Sequence, residues 1–446
     1  MSAVPSTDTP FRLIAAVSRL TDRRLLLNVR WTFVGNALYA ASQWAMVVVL
    51  ARSTNPQTVG ALALALAITA PVMILFNMQL RAVIATDVTG HYELREYFHS
   101  RLLTTVGAVA VILVCVALSG ASGSTKLVII LIAFSKAFES LSDIVYGYWQ
   151  LIERMEVVGK SLTVRAVLTL GAFTVAIIAT RSLVWGSTAF VLGSAGAFFG
   201  YDMHRVRRAA SIHGEPVGGL TTFFNLTTIS RATPAAIVRL AAPLGVAAML
   251  ISLNSAIPRY FIEHYSGKQQ LGIFSALAYF IVVGNLAMNA LGQSILPRLA
   301  KLYKMESRRP FRQTLAGLFA FSGAVAAVSM GAALCFGRQL LLIYGREYAA
   351  AYPVFLMIMG AASIGYFISV LNFSLNAIGA YTIQMPLFLV TTVLLIVLCR
   401  VFVPAYGIAG AASVLILCSG IQAALAAIFL ASRARTPSRQ TQCVIQ

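Results

Sequence analysis

The chain has 446 residues, of which 59% are hydrophobic and only 11% charged, with a formal net charge of +20. A soluble domain carries about 25% charged residues, so this balance excludes an ordinary globular protein and identifies a polytopic membrane protein. In such a chain an excess of Lys and Arg is first a topology signal, and only then a hint of an anionic partner.

Apolar runs of helix-spanning length recur along the sequence. They fall near 31–51, 60–80, 102–119, 128–150, 162–180 and 183–200, then 237–257, 271–296, 313–335, 352–377, 381–402 and 407–431. The expected fold is therefore an all-α bundle of about twelve transmembrane helices. Residues 1–30 read as a basic cytoplasmic or interfacial segment, 31–200 as a first lobe, 201–236 as a basic linker, 237–431 as a second lobe and 432–446 as a tail. Placing the N-terminus in the cytoplasm puts the Arg298–Arg312 cluster, the linker arginines and Arg433, Arg435 and Arg439 on one side, by roughly three to one. Both termini are then cytoplasmic. The opposite loops are short, the longest near 258–270 and 336–351. Shifting the first half by 212 residues sets Val59-Gly60 on Leu271-Gly272 and Asn77 on Asn289, faint support for two parallel six-helix repeats.

Polar residues within the apolar runs mark candidate inner faces. Helix one carries Asn36, Tyr39 and Gln43, and helix two ends in Asn77 and Gln79. Helix four carries Lys136, Glu139 and Asp143 on one narrow stripe that continues through Tyr146, Gly147, Gln150 and Arg154. Asn254 lies near the end of helix seven, and Asn285 and Asn289 lie on helix eight. Any single Asn or Gln serves equally as interhelical glue, but shared polar faces on several helices point to a common aqueous cavity. An ionisable group inside a membrane is a functional hypothesis by default. For Lys136, Glu139 and Asp143 two readings stand: a self-neutralising structural cluster, or an ion-coupling group in the cavity. Arg30, Arg81, Arg165 and Arg239 sit at cytoplasmic helix ends, either as anchors or as a ring able to meet phosphate. Pro71, Pro243 and Pro386 interrupt apolar runs and are candidate hinges.

The cysteines lack metal-ligand spacing, the five histidines fall in expected loops, and no Walker-type Gly-rich motif is present. No metal site, no cofactor and no direct use of ATP are expected.

Three stretches carry a family resemblance: Val34 to Trp44, Asn77 to Asp87, and Ile257 to Glu263 followed by Leu271 to Phe274. With Lys136 to Asp143 between them, the chain resembles the bacterial polysaccharide and O-antigen type flippases. These belong to the multidrug/oligosaccharidyl-lipid/polysaccharide exporter superfamily, with its MATE-like fold. The resemblance implies two six-helix lobes around a cationic cavity, alternating access, and a non-enzymatic function. The cargo would be an undecaprenyl-pyrophosphate-linked oligosaccharide, carried across the bacterial inner membrane. Partners would be that lipid-linked substrate, the bilayer, a polysaccharide polymerase and a chain-length regulator, and no nucleic acid. A drug/cation antiporter of the same superfamily is the alternative, but it calls for a more acidic cavity. A membrane glycan polymerase or ligase would need a large loop bearing catalytic Arg or His.

Overall fold

The computed structural model describes residues 9–87, 92–212, 232–305, 308–378 and 381–435. Among them the regular elements are all helical. The first half comprises α1 (Thr9–Ser53), α2 (Pro56–Asn77), α3 (Leu80–Thr86), α4 (Leu94–Leu118), α5 (Gly123–Leu151), α6 (Met155–Thr180) and α7 (Leu183–Gly196). A π-helical turn, Ala197–Asp202, leads from α7 into α8 (Met203–Ile212). The second half comprises α9 (Ala232–Ala278), α10 (Ile281–Lys304), α11 (Arg308–Leu342), the short α12 (Arg346–Ala349), α13 (Tyr352–Ala377) and α14 (Tyr381–Arg435). Most of the expected linker, residues 213–231, lies outside the described residues.

Nine helical stretches among the described residues are long and apolar enough to cross a membrane. Two of them, Pro234–Gly292 and Gln384–Leu430, contain Gly267 and Gly407, where the backbone leaves helical geometry. α5 is not one of the nine, because Lys136, Glu139 and Asp143 interrupt its apolar run.

Local chemistry explains the helix ends. Asn55 caps α2, its side chain accepting from Thr58 N at 2.9 Å, with Pro56 in the first turn where its missing N–H costs nothing. α4 opens on a capping box between Glu93 and Glu96. α2 stops at Met78 and Gln79, both left-handed (φ 48° and 52°). One expectation changes here. The predicted loop over 258–270 is helical through Ser266 and turns only at Gly267. The candidate hinges Pro71, Pro243 and Pro386 lie inside helices, and among the described residues further backbone breaks fall at Met78–Gln79, Gly267, Tyr279–Phe280 and Gly407.

The halves lock together at one end. Gly60 of α2 meets Gly272 of α9 so closely that a Cβ on Gly60 would lie 1.8 Å from the Lys268 carbonyl oxygen, and one on Gly272 would lie 1.9 Å from that of Pro56. Lacking Cβ atoms, these residues let the two backbones touch. Nearby, Arg52 donates from Nε to Ile343 O at 2.6 Å and from Nη2 to Leu342 O at 2.7 Å. Trp44 donates to the Tyr344 hydroxyl at 2.7 Å, and Lys268 to Thr125 Oγ1 at 2.8 Å. The largest apolar cluster spans both halves, joining Leu50, Leu62 and Ile129 to Ile262, Leu341 and Phe355. Away from this end the clusters separate. One is built on α3 to α6, the π-helical turn and α8, and adds Ile237 and Ala241 of α9, which also meets the end of α2 where a Cβ on Gly245 would lie 2.5 Å from the Leu75 carbonyl oxygen; two others draw only on α10 to α14.

Candidate functional site

α5 organises the site, and its stripe divides into two parts with different work. In the first, Lys136 Nζ donates to Glu139 Oε2 at 2.6 Å, and the Tyr39 hydroxyl of α1 donates to Glu139 Oε1 at 3.0 Å. The two charged side chains retain 24% and 31% of their exposure although they lie in the middle of the bundle, so they border a space that can hold water or ligand.

Asp143 does not join them. Its Oδ1 lies 3.4 Å from Arg81 Nη1 and its Oδ2 lies 3.4 Å from Arg101 Nη2. Arg101 is fully buried and donates from Nη1 to Asn77 O at 2.8 Å and to Asn77 Oδ1 at 2.7 Å. It thus satisfies a carbonyl that the end of α2 leaves without a helical partner. Ser140 Oγ also donates to Asn77 Oδ1, at 2.5 Å. Arg81 Nε donates to Gln150 Oε1 at 3.2 Å, and its guanidinium stands 5.6 Å from the Tyr146 ring centroid. Gly147 leaves room for α3 itself, since a Cβ there would lie 3.2 Å from the Arg81 carbonyl oxygen. This lower half of the stripe is the seam that docks α3 on α5, so Lys136, Glu139 and Asp143 fall into two separate groups, Lys136 with Glu139 and Asp143 with Arg81 and Arg101.

Arg165 also moves from its expected place. It is buried rather than at a mouth, donating to Ser142 Oγ and, at 3.3 Å, to Asp202 Oδ2. Asp202, the last residue of the π-helical turn, accepts further from Ser142 at 2.6 Å and from Ser161, which in turn meets the Tyr146 hydroxyl at 2.7 Å. These bonds offset part of the several kcal/mol of hydration that each buried charge has lost, although the Arg165 Nε and Nη1 atoms find no acceptor among the described residues.

The remaining candidates scatter. Asn36 is exposed and bonds its own helix at Thr32 O, 2.7 Å away. Gln43 reaches Met46 Sδ at 3.8 Å, and Gln79 is exposed at the start of α3. Asn254 accepts from Thr392 Oγ1 at 2.7 Å, which makes it interhelical glue. Asn285, Asn289, Arg30 and Arg239 are exposed.

Two features opposite α5 were not among the expected site residues. The first is Arg259. Because α9 continues to Ser266, Arg259 stands inside the helix, beside Tyr260, whose hydroxyl donates at 2.5 Å to the carbonyl of Ala67 at the middle of α2. It has no ion-pair partner among the described residues, and its buried Nε has no hydrogen-bond partner. The second is a break at Tyr279–Phe280, where Tyr279 N reaches back to Ala276 O at 3.3 Å and Phe280 N to Leu277 O at 3.4 Å. Broken helices at membrane depth are tolerated where they line a cavity. Tyr279 lies within electrostatic reach of both Arg259 and Lys136. Lys136 is neutralised by Glu139, leaving Arg259 as the excess cation. The signal that could have revealed Arg259 was Ser266-Gly267, a turn placed later than Pro258 and compatible with a helix running through both residues.

Residues 25–303 match the family described as "Polysaccharide biosynthesis protein". The capsular polysaccharide biosynthesis protein CapF of Staphylococcus aureus is 27% identical over 395 residues, covering 87% of this chain and 94% of CapF. An inward-facing multidrug resistance MATE family transporter of the MOP superfamily superposes with a TM-score of 0.71 at 10% identity, over 91% of this chain and all of that one. An outward-facing MATE transporter gives 0.65 at 11% identity, over 92% and 95%. The chain is a member of the polysaccharide biosynthesis protein family, with several helices long and apolar enough to cross a membrane and a MATE-like fold.

Proposed function

We propose that this protein is a flippase for an undecaprenyl-pyrophosphate-linked oligosaccharide, moving it from the cytoplasmic to the periplasmic leaflet of the bacterial inner membrane. Twelve spans in two six-helix lobes rock about the Gly60–Gly272 contact, with both termini cytoplasmic. The largest apolar cluster shared between the lobes surrounds that contact, and α9 also packs on the first lobe at its other end through Ile237 and Ala241. A polysaccharide polymerase and a chain-length regulator would act on the delivered product.

The observation that carries the reading is Arg259, a guanidinium inside α9 left without an ion-pair partner among the described residues. A cation near the bilayer centre costs about 3 kcal/mol unless something offsets it, and a bidentate phosphate oxygen pair is the group a guanidinium suits best. Exposed Arg30 and Arg239 would meet the anion first, Arg81 being already committed to Asp143. Of the two carboxylates, Glu139 is the coupling candidate for H⁺ or Na⁺, because Asp143 is tied to α3 and α4.

The test is flipping of a pyrophosphate-linked lipid by purified protein in liposomes. Arg259→Gln should lower the rate at least tenfold, and Arg259→Lys should recover part of it. A normal rate in Arg259→Gln refutes the assignment.

A further inference from the structure

A groove of about 480 Å³ opens between α10 and α11, and none of Lys136, Glu139 and Arg259 lines it. Its walls are Leu291 and Ile295 of α10 with Pro310, Gly317, Leu318 and Phe321 of α11; Gln313 and Thr314 are its polar positions. From Pro310 to Phe321 the α11 wall runs eleven residues, about 16 Å at 1.5 Å per residue. The polarity is graded along that length. Gln313 and Thr314 lie toward the start of α11, where Arg309 and Arg312 are exposed, and Lys301 is exposed at the adjoining end of α10. No ion pair occupies these three cations among the described residues. Tyr303 and Phe311 pack beside them with ring centroids 5.9 Å apart, as aromatic residues do at a membrane interface. The opposite end, at Phe321, is wholly apolar. Gly317 deepens the groove: no atom lies within 4 Å of where its Cβ would be.

We propose that this groove binds an anionic phospholipid of the adjacent leaflet. One acyl chain lies along Leu291, Ile295, Gly317 and Phe321, and the headgroup phosphate is met by Arg309, Arg312 and Gln313. Charge complementarity selects the headgroup: a basic rim attracts an anionic lipid by about 1 kcal/mol per cation near the surface, an attraction a zwitterionic lipid does not share. The bound lipid would brace α10, the helix that begins at the Tyr279–Phe280 break.

Native mass spectrometry of the detergent-purified protein tests this with phosphatidylglycerol, phosphatidylcholine of the same chains, and glycerol 3-phosphate. Retention of phosphatidylglycerol should exceed that of phosphatidylcholine at least tenfold, and glycerol 3-phosphate should not compete. Gly317→Phe fills the groove where the structure leaves room, and Arg309→Gln/Arg312→Gln removes the rim charge. Each should bring phosphatidylglycerol down to the phosphatidylcholine level while the protein stays monodisperse. If the filled groove retains phosphatidylglycerol as well as the wild type, the site is wrong. Equal retention of both phospholipids refutes the charge selection. Displacement by a stoichiometric amount of undecaprenyl phosphate would assign the groove to the polyprenyl carrier and overturn the phospholipid.

Discussion

Arg259 and Arg101 are both intramembrane guanidiniums, yet their removal should have opposite consequences for stability. Arg101 makes two bonds to Asn77 and faces Asp143 at 3.4 Å, so Arg101→Gln leaves a helix-end carbonyl without its donor and weakens an ion pair. Breaking a buried pair costs roughly 3–5 kcal/mol. Asp143 is 31% exposed and keeps Arg81, so the lower end, about 3 kcal/mol, is the expected loss. Arg259 has no such partner to lose. Replacing it with neutral Gln removes a charge whose burial costs up to about 3 kcal/mol, an upper bound that cavity water reduces. Thermal melting in detergent, paired with flipping in liposomes and normalised to folded protein, separates the two. Arg259→Gln should melt at or above the wild-type temperature with transport reduced at least tenfold; Arg101→Gln should melt lower. An Arg259→Gln protein that melts as low as Arg101→Gln, yet flips normally per folded molecule, would show that Arg259 is structural and refute the reasoning.

The two carboxylates of α5 should also part ways. Glu139→Gln should abolish ion dependence of transport with protein level unchanged, whereas Asp143→Asn should lower the yield of folded protein by releasing α3 and Arg101; size-exclusion profiles beside transport assays distinguish them. Gly60→Val forces a side chain into the space where Lys268 O stands 1.8 Å from a Cβ, so the locked end cannot close. In a cysteine-free background, Thr125→Cys should then label with an impermeant maleimide several-fold faster than in the Gly60 protein. Arg52→Gln removes two donors to Leu342 and Ile343 and should shift the same labelling in the same direction, by a smaller factor. Unchanged labelling in both variants would show that this contact does not gate access.

The fold was largely legible because lipid imposes its own grammar: apolar runs of spanning length and a bias of Lys and Arg are read directly. Site residues were legible only as chemistry, not as partners. The i, i+3, i+7 stripe put Lys136, Glu139 and Asp143 on one face correctly, but periodicity cannot tell which helix lies opposite each residue. Asp143 met Arg81 and Arg101, whose pairing depends on the abrupt turn at Met78–Gln79, two non-glycine residues with positive φ that no sequence rule places there. Arg165 looked like an anchor because its partner Asp202 is 37 residues away, in a π-helical turn. Arg259 was hidden by Pro258, which reads as a helix end unless the surrounding bundle holds the helix through it.

The faint repeat acquires a physical meaning at Gly60 and Gly272. Residues related by a twofold axis can contact their own equivalents only near that axis, and these two glycines, aligned by the 212-residue shift, are in backbone contact. The same shift pairs Asn77 with Asn289, and there the equivalence ends. Asn77 is fixed by Arg101 and Ser140, whereas Asn289 is exposed. The first half thus pairs its buried charges: Arg101 with Asp143 and Asn77, and Arg165 with Asp202. The second half contributes Arg259, an unpaired guanidinium inside a helix, and a broken helix. On the proposed function, the first half supplies the firm frame and the second half the open cation that an anionic cargo would need.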